Sequence, residues 1–113
     1  MVVLVGASMG AARTVFALAD GVRPDAWVYL SAPAAWDGRV VADEARGIAL
    51  PGLVLHDPDY GPADFAASRE TARRSGAEFV EGRGGHGYDL VVRINGSLTP
   101  LGERVLDFAD DPR

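Results

Sequence analysis

A chain of 113 residues, 48% hydrophobic and 24% charged, has the make-up of one soluble globular domain large enough to bury a core. Its net charge is −5, and its eleven basic residues are all arginine and scattered, which excludes a basic nucleic-acid-binding face and any chemistry that needs a lysine amine. Disulfides and thiolate metal sites are excluded by the absence of cysteine, and no apolar run nears the roughly 20 residues that span a bilayer.

In chain order, Val2 to Val5 reads as an apolar strand, and Met9 to Ala19 as a helix that stops near Asp20-Gly21. Ala26 to Leu30 is a second strand, followed by the loop Ser31 to Asp37 and a short helix around Val40 to Arg46. Gly52 to Leu55 is the third strand. A helix from Ala63 to Ser75 should end at Gly76, with Arg73 and Arg74 in its last turn. Ala77 to Val80 is the fourth strand, and Thr99-Pro100 opens a final helix to Ala109 as an N-cap followed by proline. Strands alternating with helices predict an α/β fold, a parallel sheet of about four strands with helices on its faces. Residues 1–109 form that domain, and Asp110-Asp111-Pro112-Arg113 is expected to be a disordered tail.

The first strand runs into Gly6-Ala7-Ser8-Met9-Gly10 and then into a helix, which is the order of elements a nucleophile elbow requires. A serine hydroxyl is a weak nucleophile at neutral pH, so such a serine needs a base and a group that orients the base. The strand Leu53-Val54-Leu55 ends in His56-Asp57-Pro58-Asp59, and the fourth strand leads to Gly82-Arg83-Gly84-Gly85-His86-Gly87. All these candidates follow strand ends, the edge of an open parallel sheet where ligands bind. A histidine between glycines has little local packing to serve, so His86 is the candidate base. His56, at the end of an apolar strand, reads as a structural histidine instead. Asp57 can cap its own turn, and Asp64 suits the head of a helix. Trp36, in the loop after the second strand, is a candidate for lining a substrate pocket, although a loop aromatic more often packs as a lid on the core. Two separated histidines, with no Glu at ligand spacing beside either, give no credible metal site.

The elbow and the Gly-Gly-His-Gly loop resemble the C-terminal half of a bacterial alpha/beta hydrolase of the dienelactone-hydrolase-like kind, over nearly the whole chain. That resemblance implies a serine hydrolase acting on a small ester, thioester or amide, without a cofactor. It implies Ser8 as nucleophile, His86 as base and Asp59 as the acid orienting it, with Asp57 as the alternative. The departure from the family lies at the acid, because Tyr60 holds the position where the family carries it. The resemblance also implies that the Met9 N–H is one donor of the oxyanion hole, and that the earlier strands of the family sheet are missing. Residues 2–5 are then an exposed edge, open to dimerisation or to a partner chain. Neither a nucleic acid nor a membrane is an expected partner. With no basic stretch ahead of the first apolar run, the expected location is the cytoplasm.

Two other readings carry different chemistry. A non-catalytic, hydrolase-derived interaction module would keep the fold without the reactivity. The opening also resembles a short-chain dehydrogenase, whose glycine-rich turn holds a dinucleotide. There Ala12 stands where that family's last glycine belongs, and its catalytic lysine has no counterpart.

Overall fold

A computed structural model describes residues 1–112 as an α/β domain built on one four-stranded sheet. The strands β1 (Val3–Ala7), β2 (Ala26–Leu30), β5 (Gly52–His56) and β6 (Glu78–Glu81) lie side by side in that order, all parallel. Between β2 and β5 a hairpin of two short strands, β3 (Ala35–Trp36) and β4 (Arg39–Val40), leads into the single-turn helix α2 (Val41–Glu44). The long helices are α1 (Met9–Ala19), α3 (Pro62–Ser75) and α4 (Pro100–Asp110), and a 3-10 turn spans Gly87–Leu90.

Each crossover steps the sheet in the same direction, so crossovers of one hand place their helices on one face. Alternate strand residues divide the core accordingly. Trp27, Tyr29 and Val54 point to α1, α2 and α3, where they meet Val15, Phe16, Leu18, Val41 and Ala72. Ala26, Val28, Leu30, Leu53 and Leu55 point to the other face, which Leu90, Val91 and Phe108 cover from the 3-10 turn and α4.

The central strands β2 and β5 are buried at every residue. By contrast β1 and β6 are edges and are only partly buried. Val5 remains 41% exposed, because α4 and the 3-10 turn do not reach across to cover it. No helix among the described residues is long and apolar enough to cross a membrane.

Local chemistry accounts for most boundaries. Thr99 caps α4 by accepting the Gly102 N–H at 3.0 Å, and Pro100 follows where its missing N–H costs nothing. Gly76 ends α3 in the left-handed conformation at φ 70°. The hairpin replaces part of the loop expected after β2. Asp37 and Gly38 both take positive φ, 53° and 77°, which is the two-residue turn that matches strand twist. Asp110 belongs to α4, so the tail expected from that residue starts later; Arg113 lies outside the described residues.

Candidate functional site

Ser8 is the whole connection between β1 and α1, and its backbone is strained: φ 55°, ψ −124°. A non-glycine residue held there costs on the order of 1–3 kcal/mol, so surrounding contacts must hold it. The Ser8 N–H donates to the Leu30 carbonyl at 2.8 Å, carrying the β1–β2 ladder one residue past the strand, while its carbonyl accepts from Ala11 and Ala12. The turn is also tight. A Cβ at Gly6 would come within 2.3 Å of both the Gly10 carbonyl oxygen and Thr14 Oγ1.

A serine before a helix ordinarily caps it by accepting an N–H from the first turn. Ser8 makes no side-chain capping bond; its Oγ lies 3.0 Å from His86 Nε2. The strained φ/ψ has turned the hydroxyl out of the helix and toward the imidazole. Behind it, the Met9 N–H opens α1, and a first-turn N–H has no intrahelical acceptor.

His86 rides on the loop after β6, which is pinned at four backbone N–H groups. Gly82 donates to the His56 carbonyl at 2.8 Å, Gly84 and Gly85 donate to Asp57 Oδ2 at 2.8 and 3.3 Å, and Gly87 donates to Ser31 Oγ at 3.0 Å. Glycine is required for two distinct reasons here. Gly84 and Gly87 have φ of 97° and 61°, whereas a Cβ at Gly85 would press on Asp89 at 2.6 Å.

Asp57 is therefore a clamp on the histidine loop. Its Oδ1 accepts the Asp59 N–H at 2.9 Å, closing the turn on itself as its position after the strand foretold. These bonds hold its carboxyl below the usual carboxylate range: the Asp59 N–H contributes most, burial opposes, and Gly84, Gly85 and the Arg83 charge add to the lowering. Ser31 is the partner that reasoning from sequence missed. It is fully buried at the end of β2 with φ 58°, a second strained serine next to the first, and only its serine-after-strand position hints at it.

The structure brings together Ser8 and His86 but not a carboxylate with the imidazole. Among the described residues neither Asp59 nor Asp57 hydrogen-bonds to His86; Asp59 is exposed and Asp57 is committed to the loop amides. The neighbour of the imidazole is Tyr60, whose ring stacks on it with centroids 6.0 Å apart and planes at 29°. Asp64 accepts the Ala34 N–H at 2.8 Å, tying the hairpin to the start of α3.

Trp36 sits on β3 with 39% of its surface exposed, and among the described residues no hydrogen bond or ring contact joins it to Ser8 or His86. It is not a lid on the core either. His56 is buried and spoken for, as its place in an apolar strand suggests: Nδ1 meets Ser68 Oγ at 2.8 Å and Nε2 the Tyr60 carbonyl at 2.9 Å.

A cavity of about 400 Å³ lies along α3 beside Ala66, Arg69, Glu70 and Arg73, none of them a site candidate, so the cavity and the candidate chemistry do not coincide. The described residues contain no cluster of three His, Asp or Glu side chains able to hold a metal ion.

No family model, curated protein or solved structure matches this chain.

Proposed function

We propose that this protein is a serine hydrolase of the alpha/beta hydrolase kind, acting on a small ester, thioester or amide in the cytoplasm. The observation that carries the reading is the Ser8 hydroxyl: it makes no capping bond to the helix it precedes, and on a strained backbone it is placed 3.0 Å from His86 Nε2. In the reaction Ser8 Oγ attacks the substrate carbonyl while its proton passes to His86 Nε2. The tetrahedral oxyanion takes the Met9 N–H. Collapse expels the alcohol, thiol or amine with the proton from His86, and water then attacks the acyl-serine with His86 again as base. Asp57 and Ser31 keep the histidine loop in place, Asp59 is the acid that the family resemblance assigns, and the exposed Trp36 is left as a contact for the larger end of a substrate.

The chemistry is tested without knowing the substrate, by intact-mass detection of fluorophosphonate capture. Wild type should gain one adduct, lost in Ser8→Ala and strongly reduced in His86→Ala. A folded wild-type chain that stays unlabelled sinks the proposal.

A second reading, an interaction module without catalysis, draws support from β1. That strand pairs on one side only, and it leaves Val2 64% and Val5 41% exposed. A second copy or a partner strand added at residues 2–5 would cover both. A folded, unreactive chain that self-associates, and becomes monomeric with Val5→Lys, is its signature.

A further inference from the structure

We propose that Tyr60 is the positioning residue of His86, its ring stacked beside the imidazole, keeping Nε2 aimed at Ser8 and stabilising the imidazolium that forms when the neutral Nε2 takes the serine proton. The inference rests on the reading of Ser8 and His86 as nucleophile and base. Three observations carry it.

First, His86 lacks the usual means of orientation. Its hydrogen bond is to Ser8, its Nδ1 has no partner among the described residues, and its neighbours Gly85 and Gly87 have no side chains to pack on it. An exposed imidazole flanked by glycines would rotate freely about its side-chain bonds. The Tyr60 ring, at 6.0 Å and 29°, is the contact that restricts it.

Second, Tyr60 is itself held in place by its backbone. Its N–H donates to the Asp57 carbonyl at 3.0 Å, and its carbonyl accepts from His56 Nε2. A carbonyl only accepts, so Nε2 carries the proton. With the imidazole neutral, Ser68 then donates to Nδ1 and Tyr29 donates to Ser68 Oγ, the latter at 2.9 Å. This buried chain of Tyr29, Ser68 and His56 anchors Tyr60 from within the core. The ring outside, 48% exposed, is free of other duties.

Third, the aromatic face carries partial negative charge, so it attracts an imidazolium more than a neutral imidazole. A carboxylate on Nδ1 does the same in an ordinary triad by charge and hydrogen bonding. Tyr60 provides a weaker, non-ionic counterpart at the position where Asp57 and Asp59 leave a gap.

The test is a titration of the His86 ring by NMR in the full chain, alongside the rate of fluorophosphonate capture, for wild type and for Tyr60→Phe, Tyr60→Leu and Tyr60→Ala. The chain has two histidines, so a His86→Ala sample assigns the signals. Asp57, Asp59, Arg83 and Asp89, the charged groups around the loop, are the same in every variant. Losing the ring in Leu and Ala should lower the His86 midpoint relative to wild type, with Phe restoring it. Capture should slow about three- to tenfold in Leu and Ala, and not in Phe. A midpoint unmoved by Ala, or restored as well by Leu as by Phe, overturns the role of Tyr60 whatever the capture rates. A shifted midpoint with no capture in any sample overturns the hydrolase reading and leaves the hold of Tyr60 on His86 standing.

Discussion

Ser8 Oγ and His86 Nε2 lie 3.0 Å apart although 78 residues separate them in the chain. Neither residue has a helix or strand of its own. Ser8 is the one-residue corner after β1 and His86 sits in the loop after β6, at opposite edges of the sheet. The loop after β6 reaches back across the strand ends of β5 and β2, bonding to Asp57 and then Ser31 on the way. Proximity thus depends on the two side chains that hold this loop, Asp57 and Ser31, and each is open to substitution.

Strain at Ser8 should be measurable as stability. Replacement by glycine relaxes φ 55°, ψ −124°, while alanine keeps the strain and removes only the hydroxyl. Urea denaturation should find Ser8→Gly more stable than Ser8→Ala by about 1 kcal/mol, after allowing for the greater chain entropy of glycine. Equal stabilities would mean that the turn is relaxed in solution.

The two glycines of Gly-x-Ser-x-Gly should behave in opposite ways. Gly6→Ala drives a methyl into the Gly10 carbonyl and Thr14 and should cost about 3 kcal/mol or prevent folding. A Cβ at Gly10 meets nothing within 4 Å, and the position is helical, so Gly10→Ala should stabilise by about 0.5–1 kcal/mol. Thermal melts of the pair decide this; a destabilised Gly10→Ala would contradict it.

Asp57 should make stability fall in acid. Its folded-state pKa is depressed, so its contribution is complete above the ordinary carboxylate value of 3.8 and is lost as pH falls through the lower folded value. Asp57→Ala leaves the N–H groups of Asp59, Gly84 and Gly85 without their acceptor and should cost about 2–3 kcal/mol at pH 7. Asp57→Asn keeps part of the bonding but not the charge. Its deficit relative to wild type should be constant from pH 7 to 5 and should narrow below 3.8; a deficit independent of pH would separate Asp57 from acid unfolding.

Alkali probes the buried chain behind Tyr60. Burial pushes the Tyr29 hydroxyl up from 10.0 to about 12, more than its bond to Ser68 can offset. Between these values the unfolded chain releases the Tyr29 proton and the folded chain retains it, so stability must decline as pH rises from 10 toward 12. Tyr29→Phe should flatten that decline, at the expense of about 1 kcal/mol at pH 7 from the donor lost to Ser68. The same slope in both proteins would show that another group is responsible.

Short-range chemistry was legible from the sequence. Apolar runs marked all four strands of the sheet, Thr99-Pro100 and Gly76 marked helix ends, and the apolar setting of His56 marked it as structural. Each rests on periodicity or on a group within four residues, which the order of residues determines directly. The hairpin was equally local, its Asp37-Gly38 pair being a strong turn signal, but it lay inside a loop already accounted for.

Tertiary structure decided the surroundings of His86. Two carboxylates follow β5 within three residues, and nothing local says which one turns inward. That choice belongs to Gly84 and Gly85, whose N–H groups arrive from 27 and 28 residues away and capture Asp57. Once Asp57 is taken and Asp59 faces solvent, the Asp57–Tyr60 turn carries the tyrosine ring to the imidazole. Ser8 could be singled out by order alone, because strand, small residues and helix are contiguous. The neighbour of His86 could not, because a loop side chain points where distant backbone groups leave it a place.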